Sequence, residues 1–243
     1  MKKLLIANWK MKPKTLKEAI VLAKLSDDKD IYLAPPYIFL QSIKNVLKKA
    51  TIGAQDLFQE NPPKGGAFTG AVSAAMLKSI GIGFVILGHS ERRALGETDV
   101  IISKKIAIAC ESKITPVLCV GESEGIRKKG IEEAMRFVAE QIKNDVSSIP
   151  KTVKKMIVAY EPIWAIGTGN NDTPESASQM ARHIKKILSD QYSIKAKVLY
   201  GGSVNSKNIS EFAKESDIDG FLVGGASADP KEFKTIIKII KSI

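Results

Sequence analysis

One carboxylate stands where a buried strand is predicted to end. Residues 157–168 read IVAYEPIWAIGT, and the apolar run 157–160 predicts a strand that delivers Glu161 at its carboxyl end. Pro162 disfavours a helix at Glu161, because the residue before a proline is pushed toward extended geometry. A carboxylate at a strand end under an apolar cover is suited to proton transfer. The alternative is a structural glutamate paired with a lysine at the rim of a barrel.

The residues after Glu161 predict a loop that acts as a cover rather than as an ordinary exposed connection. Residues 162–166 are apolar, and Pro162 on one side and Gly167 and Gly169 on the other bracket them. Exposed loops are normally polar, whereas a catalytic lid that moves as one piece is apolar between hinges. This cover favours catalysis by Glu161 over the structural alternative.

Four further polar residues are predicted to share a rim with Glu161. Asn8 and Lys10 follow the first predicted strand, and His89 and Glu91 follow the fourth. A short helix is predicted to begin directly after His89, and its dipole disfavours an imidazolium. A neutral imidazole can donate a proton to an oxygen and take it back. The alternatives are a histidine in a rim network and a surface lysine at position 10.

The second histidine has a simpler interpretation. His183 lies inside the helical run 180–188, so we expect it at the surface or at the boundary of the core.

Glycine pairs after two late strands predict an anion site. Gly201, Gly202 and Ser203 follow the seventh predicted strand, and Gly224 and Gly225 follow the eighth, each pair leading into a helix. Backbone N–H groups and a helix dipole can converge there on a phosphate. A single glycine pair is weak support, since tight turns use one anyway.

Strand-like runs that alternate with helical periodicity must position these groups. Thr173 before Pro174 and Asp229 before Pro230 predict helix starts, and Gly81 predicts a helix end. No linker divides the 243 residues, so we expect one α/β domain over residues 1–243. The predicted strands are residues 3–7, 30–34, 51–54, 83–87, 115–120, 156–160, 197–200 and 220–223.

Eight such units are the size of a closed eight-stranded parallel β/α barrel, whose active site gathers at the carboxyl ends of the strands. The alternative is an open, doubly wound sheet. A GxGxxG motif after the first strand would favour that fold, and the chain has Asn8, Trp9 and Lys10 there instead. Closure brings the polar residues after strands one, four and six to one rim.

Composition limits the class of protein. Cys110 and Cys119 are nine residues apart, which offers neither a metal knuckle nor a CxxC pair and fits a reducing cytoplasm. The apolar run before Asn8 is too short for a signal peptide, and no run approaches a membrane span. We expect a soluble cytoplasmic protein without a membrane partner.

A net charge of +11 raises the possibility of nucleic-acid binding. The lysines, however, lie on polar faces of amphipathic helices without aromatic interleaving, so we expect a solvated surface and no nucleic-acid partner. The positive charge would help to attract a small anion such as a sugar phosphate. The lysines on polar helix faces include Lys14, Lys17, Lys24, Lys234, Lys238 and Lys241.

Motifs across nearly the whole chain resemble those of one family, triosephosphate isomerase. The resemblance implies the fold named after that enzyme, the TIM barrel, and interconversion of dihydroxyacetone phosphate and glyceraldehyde 3-phosphate without metal or organic cofactor. The segments, in order, are residues 8–11 (NWKM), 53–55 (GAQ), 66–70 (GAFTG), 88–93 (GHSERR), 119–122 (CVGE), 160–169 (YEPIWAIGTG), 200–204 (YGGSV) and 224–227 (GGAS).

The resemblance also implies roles for the site residues. Glu161 would move a proton between two carbons, and His89 would move protons at the two oxygens. Lys10 and Asn8 would stabilise the enediolate, and Glu91 would position Lys10. The phosphate would be held by the backbone of Gly167, Ser203, Gly224 and Gly225.

A homodimer is implied as well, in which Phe68 and Thr69 are buried against the neighbour and Thr69 supports its Asn8 and His89. The chain departs from the family at two places. Ala71 replaces a glutamate expected to pair with an arginine like Arg92 across the interface. Residues 170–172 read NND where a hinge of small residues is usual, which affects the balance between open and closed lids.

Two other functions compete with this one. A different phosphate-binding barrel enzyme, such as a lyase or another isomerase, would carry an extra acid or a Schiff-base lysine inside the barrel, and no predicted strand offers a convincing one. A basic binding protein without catalytic activity would bind nucleic acid with a steep dependence on salt.

Overall fold

The computed structural model describes residues 3–62, 64–165 and 172–243. In these residues eight strands pair in chain order, all in parallel, and the last closes on the first. The predicted closed eight-stranded parallel β/α barrel is therefore confirmed. The strands are β1 (Leu4–Asn8), β2 (Ile31–Ala34), β3 (Thr51–Ala54), β4 (Phe84–Leu87), β5 (Thr115–Val120), β6 (Lys155–Tyr160), β7 (Lys195–Tyr200) and β8 (Gly220–Val223).

Three predicted strands, residues 51–54, 115–120 and 220–223, are confirmed at both ends, and the ends of the other five differ by at most two residues. The largest difference is in β7, which begins at Lys195 rather than at Lys197 and pairs with β6 over its whole length. Both lysines are exposed and alternate with the buried residues Ala196 and Val198. The prediction, based on an apolar run, begins only at Lys197 and misses Lys195 and Ala196, although the backbone continues its ladder through them.

Within the described ranges, ten α-helices lie on the outside of the barrel. The predicted helix starts are confirmed, because Thr173 and Asp229 cap two helices with proline in the first turn. Gly81 follows a helix end with a φ of 77°, as predicted. The helices are α1 (Leu16–Leu25), α2 (Leu40–Lys44), α3 (Ala74–Ser79), α4 (Ser90–Ala94), α5 (Asp99–Glu111), α6 (Glu124–Arg127), α7 (Ile131–Asp145), α8 (Pro174–Tyr192), α9 (Ile209–Lys214) and α10 (Pro230–Ser242).

Two apolar clusters follow from the alternation of side chains along each strand. Ile6, Ile86 and Leu199 belong to the cluster that fills the barrel, while neighbours such as Leu5 and Val198 pack outward against the helices. The same alternation carries Asn8 and Glu161 to the inner side of the rim. The core therefore orients two of the polar site residues.

Among the described residues, no helix combines the length and the apolar character needed to cross a lipid bilayer.

Candidate active site

A cavity of about 1000 Å³ opens at the carboxyl ends of the strands. Three loops, after β1, β4 and β6, deliver the five polar residues that the sequence placed at one rim. Those residues, Asn8, Lys10, His89, Glu91 and Glu161, all line the cavity. The structure thus brings them together.

Glu161 directly follows β6 and is buried. Its Oε2 accepts a hydrogen bond of 2.9 Å from the backbone N–H of Ser90, and its Oε1 lies 3.1 Å from Nε2 of His89. Gly121 leaves room for the Glu161 backbone, because a Cβ at that glycine would lie 1.7 Å from the Glu161 carbonyl oxygen. Ser90 occupies the first turn of α4, whose N–H groups have no partner within the helix. That local signal predicts an acceptor at Ser90 but does not identify Glu161, which is 71 residues away.

His89 is the N-cap of α4, as the sequence predicts. Its Nδ1 accepts a hydrogen bond of 3.2 Å from the backbone N–H of Glu91. An imidazole nitrogen that accepts a hydrogen bond carries no proton, so the neutral ring has its proton on Nε2. The proton-bearing nitrogen therefore faces Glu161.

Lys10 has a strained backbone that its neighbours fix. Its φ is 52°, which is uncommon for a residue other than glycine. Asn8 Oδ1 accepts from the Lys10 N–H at 3.1 Å, and Gln55 Nε2 donates to the carbonyl oxygens of Lys10 and Ala34, each at 2.8 Å. The Lys10 ammonium then lies 2.5 Å from Glu91 Oε1. These contacts aim its charge into the cavity.

Gln55 had no role in the sequence-based account. It is a polar residue directly after the buried strand β3, and a similar signal singled out Asn8, the polar last residue of β1.

The glycine loops after β7 and β8 also line the cavity, through Gly201, Gly202, Ser203, Gly224 and Gly225. Gly224 directly precedes a 3₁₀ helix, Gly225–Ala228, of which Gly225 is the first residue.

The helix predicted to follow the loop of Gly201, Gly202 and Ser203 is α9, but it begins only at Ile209. Asn205 Oδ1 accepts from the N–H groups of Lys207 and Asn208, and Asn208 donates to the Ser203 carbonyl. These turns delay the helix. Ser203 Oγ donates to the Ala165 carbonyl at 2.6 Å.

The described part of the predicted lid begins as a 3₁₀ helix, Ile163–Ala165. Trp164 Nε1 and the Tyr160 hydroxyl each donate to Glu122 Oε1 at 3.0 Å. Burial raises the pKa of Glu122, although these donors act in the opposite direction. The Arg127 guanidinium lies 5.3 Å from the centre of the Trp164 ring. Ile166, Gly167 and the rest of the segment up to residue 171 lie outside the described residues.

Arg127 also contacts Asp172, the first described residue after that segment. Its Nη2 lies 3.4 Å from Oδ1 of the buried Asp172, which also accepts from the Thr173 N–H at 2.9 Å. Burial raises the pKa of Asp172. Of the three residues predicted to alter the hinge, Asp172 is the described one.

Of the residues assigned to a dimer contact, Arg92 lines this cavity. Phe68 and Thr69 are exposed, and Phe68 packs on Phe58 with ring centres 4.7 Å apart. Arg92 pairs within its own chain, with Asp56 at 3.0 Å and with Glu97. This arginine therefore has two carboxylate partners although Ala71 replaces the glutamate expected from a second chain.

His183 and the two cysteines are not among the proton-transfer groups. His183 is half-buried, and its Nε2 lies 3.1 Å from the Met135 carbonyl oxygen, which matches the boundary position predicted. Cys110 and Cys119 are free thiols. Cys119 is buried inside the barrel, where burial and the Glu161 carboxylate raise its pKa well above the usual range.

Comparison with known proteins agrees with this geometry. The family model described as Triosephosphate isomerase matches residues 3–240. The triosephosphate isomerase of Dictyoglomus turgidum is 41% identical, over 98% of this chain and 99% of the relative. Those of Aquifex aeolicus and Thermus thermophilus are 39% and 38% identical over the same shares. The chain belongs to the triosephosphate isomerase family.

Proposed function

We propose that this isomerase interconverts dihydroxyacetone phosphate and glyceraldehyde 3-phosphate through an enediolate, with Glu161 as the base. The observation that carries the proposal is the contact between the Glu161 carboxylate and the protonated nitrogen of His89. Glu161 removes the proton from C1 of the ketose, and the electron pair of that C–H bond forms the C1–C2 double bond. The proton returns to C2 to give the aldose. These transfers need no external electron acceptor.

His89 serves the two oxygens in this scheme. Its Nε2–H gives a proton to the carbonyl oxygen on C2 as the enediolate forms, and it takes a proton from the hydroxyl on C1. A neutral imidazole suits both steps, because it is not committed to the charged form.

The remaining site residues stabilise negative charge. Lys10 and Asn8 face the developing enediolate, and Glu91 holds the Lys10 ammonium in place. Backbone N–H groups of Gly167, Ser203, Gly224 and Gly225 hold the phosphate. The net charge of +11 attracts the anionic substrate at a rate that falls as salt rises.

Solvent hydrogen exchange tests the proton-transfer mechanism. In D2O, NMR of the aldose formed from unlabelled ketose should show deuterium at C2, because the proton on the carboxylate exchanges with solvent before it returns. An aldose that retains the C1 hydrogen at C2 in every molecule, even at low conversion, would indicate direct hydride transfer instead. The negative control, Glu161→Gln, should show neither turnover nor exchange under the same conditions.

We also propose a homodimer in which Phe68, Thr69 and Arg92 contact the neighbouring subunit. Large apolar side chains at the cavity edge support it, since Met11 is 90% and Leu95 77% exposed in the single chain. Because Asp56 and Glu97 already neutralise Arg92, the contact does not depend on an acid at position 71. The proposed interface therefore depends on shape complementarity and on buried apolar area.

We place the enzyme in the cytoplasm as one catalytic domain over residues 1–243, acting in glycolysis and gluconeogenesis. Two free thiols fit a reducing compartment. A fractionation of the source cells, with activity followed in each fraction, tests the location.

A further inference from the structure

Strands β4 and β5 separate just below His89, and Arg93 fills the gap. Their ladder ends at the pair Leu87 and Leu118, after which the chain turns away at Gly88 with a φ of 71°. The carbonyl oxygens of Gly88 and Cys119 both accept from Arg93, at 2.8 Å from Nε and 3.1 Å from Nη2. Backbone carbonyls away from water need a donor. Arg93 supplies it where the ladder ends.

Two carboxylates hold the guanidinium in this position. Asp99, at the start of α5, accepts from Nη1 at 2.6 Å, and Asp145, at the end of α7, accepts from Nη2 at 2.5 Å. Asn144 donates to the other oxygen of Asp99 at 3.2 Å. The Arg93 side chain is only 15% exposed. A lysine has its donors on one atom and cannot span four acceptors arranged around a planar fork.

This arrangement fixes the backbone on both sides of His89. The clamped carbonyl belongs to Gly88, the residue directly before it, and the His89 carbonyl accepts from the N–H groups of Arg92 and Arg93 at 2.8 and 3.0 Å. A Cβ at Gly88 would lie 2.9 Å from Arg93 Nη2, so the close approach requires glycine. These contacts fix the backbone that carries the imidazole beside Glu161.

We propose that Arg93 is a positioning residue for the isomerase reaction, which sets the place of the His89 imidazole through the Gly88 carbonyl. This inference rests on the proposed role of His89. Misplacing a reacting group by about 1 Å can lower a rate on the order of a hundredfold. Arg93 does not face the cavity, so substrate affinity should depend on it much less than the rate does.

Kinetics of Arg93→Lys provide the first test, with Arg182→Lys as the matched control. Arg182 also pairs with an aspartate, Asp217, but its side chain is 71% exposed. We expect kcat of Arg93→Lys to fall by about ten- to a hundredfold with KM within about threefold, since misplacement affects the chemical step. The control should stay within about twofold of the wild type, as surface substitutions usually do. An unchanged kcat in Arg93→Lys overturns the proposal.

NMR of the histidine side chains separates positioning from general damage. The chain has two histidines, so a protein labelled with ¹⁵N-histidine gives signals from His89 and His183 alone. In Arg93→Lys the His89 ring signals should shift while those of His183 keep their wild-type positions. Unmoved His89 signals refute the positioning role.

Two further variants cover the cases in which Arg93→Lys does not fold or the proposed role of His89 is wrong. If Arg93→Lys does not fold, Asp99→Asn weakens one anchor and should shift the His89 signals in a folded protein, with kcat lower by several-fold. Wild-type signals and kcat in Asp99→Asn then refute the proposal. If His89→Gln keeps full activity, the proposed role of His89 fails, even where Arg93→Lys shifts the His89 ring signals.

Discussion

Nε2 of His89 lies 3.1 Å from Oε1 of Glu161, so the proposed acid and base contact each other in the absence of substrate. The Ser90 N–H holds the second carboxylate oxygen. Substrate must enter between two groups that are already aligned by the ends of β4 and β6. The arrangement explains why a buried carboxylate is tolerated at the rim, since each of its oxygens has a donor.

Lys10→Met should weaken both the binding of a phosphorylated enediolate analogue and the rate. The ammonium acts on charge that is present in the ligand and grows in the transition state. Calorimetry with the analogue and steady-state kinetics measure the two effects. Lys14→Met, which removes an exposed lysine near the same strand, is the control and should match the wild type. Unchanged affinity for the analogue in Lys10→Met would place Lys10 outside the binding site.

Gln55→Met should lower kcat/KM by roughly tenfold. The change removes two hydrogen bonds, each worth about 1 kcal/mol, by which Gln55 links the carbonyl of Lys10, a residue with a positive φ, to the carbonyl of Ala34. Gln41→Met removes a surface amide that bonds to Asn45 and should leave kcat/KM unchanged. Equal activity of the two variants would show that the Lys10 backbone keeps its geometry without Gln55.

Asp145→Asn should flatten the pH dependence of stability between about pH 4 and pH 7. Burial raises the pKa of Asp145 to about 7 although Arg93 lowers it, and the ordinary value is 3.8. Between these two values the folded protein holds a proton that the unfolded chain releases. The contribution of Asp145 is therefore fully present below pH 4 and is lost as pH rises to 7, by up to about 1.4 kcal/mol per pH unit.

Urea unfolding at several pH values and one protein concentration measures this effect. The difference in free energy of unfolding between the wild type and Asp145→Asn should fall as the pH rises from 4 to 7 and be constant above 7.5. A difference independent of pH would mean that Asp145 is ionised in the folded protein throughout this range.

Thr69→Arg should give a monomer with much lower activity. Thr69 lies in the exposed loop proposed to support the neighbour's Asn8 and His89, and a buried unpaired arginine is costly there. Ultracentrifugation at micromolar concentration should find wild-type dimers, because the missing pair with residue 71 is worth only about 0 to 1 kcal/mol. Thr235→Arg, on the exposed face of α10, should remain dimeric. A fully active wild-type monomer would refute the shared site.

Local signals in the sequence predicted the parts of the site that local structure determines. Glu161 follows an apolar run and precedes proline, and His89 precedes a helix start, so strand end and N-cap could both be assigned. The barrel followed from the number of β/α units. The order of the strands then brought three distant loops to one rim.

Contacts between distant residues had no such signal. Gln55 bonds to a backbone 45 residues away, and Arg93 reaches an aspartate 52 residues away. Neither partner can be identified until the register of the barrel is known. The late start of α9 was missed for a different reason, because Asn205 and Asn208 form side-chain turns that compete with the helix.

The most direct measurement for Glu161 as base is kcat of Glu161→Gln together with its affinity for an enediolate analogue. Glutamine keeps the shape and loses the basic oxygen, so kcat should fall on the order of a thousandfold or more while the fold is retained. Glu175→Gln, on the exposed first turn of α8, should keep wild-type kcat. A Glu161→Gln enzyme with kcat within tenfold of the wild type would contradict the assignment of Glu161.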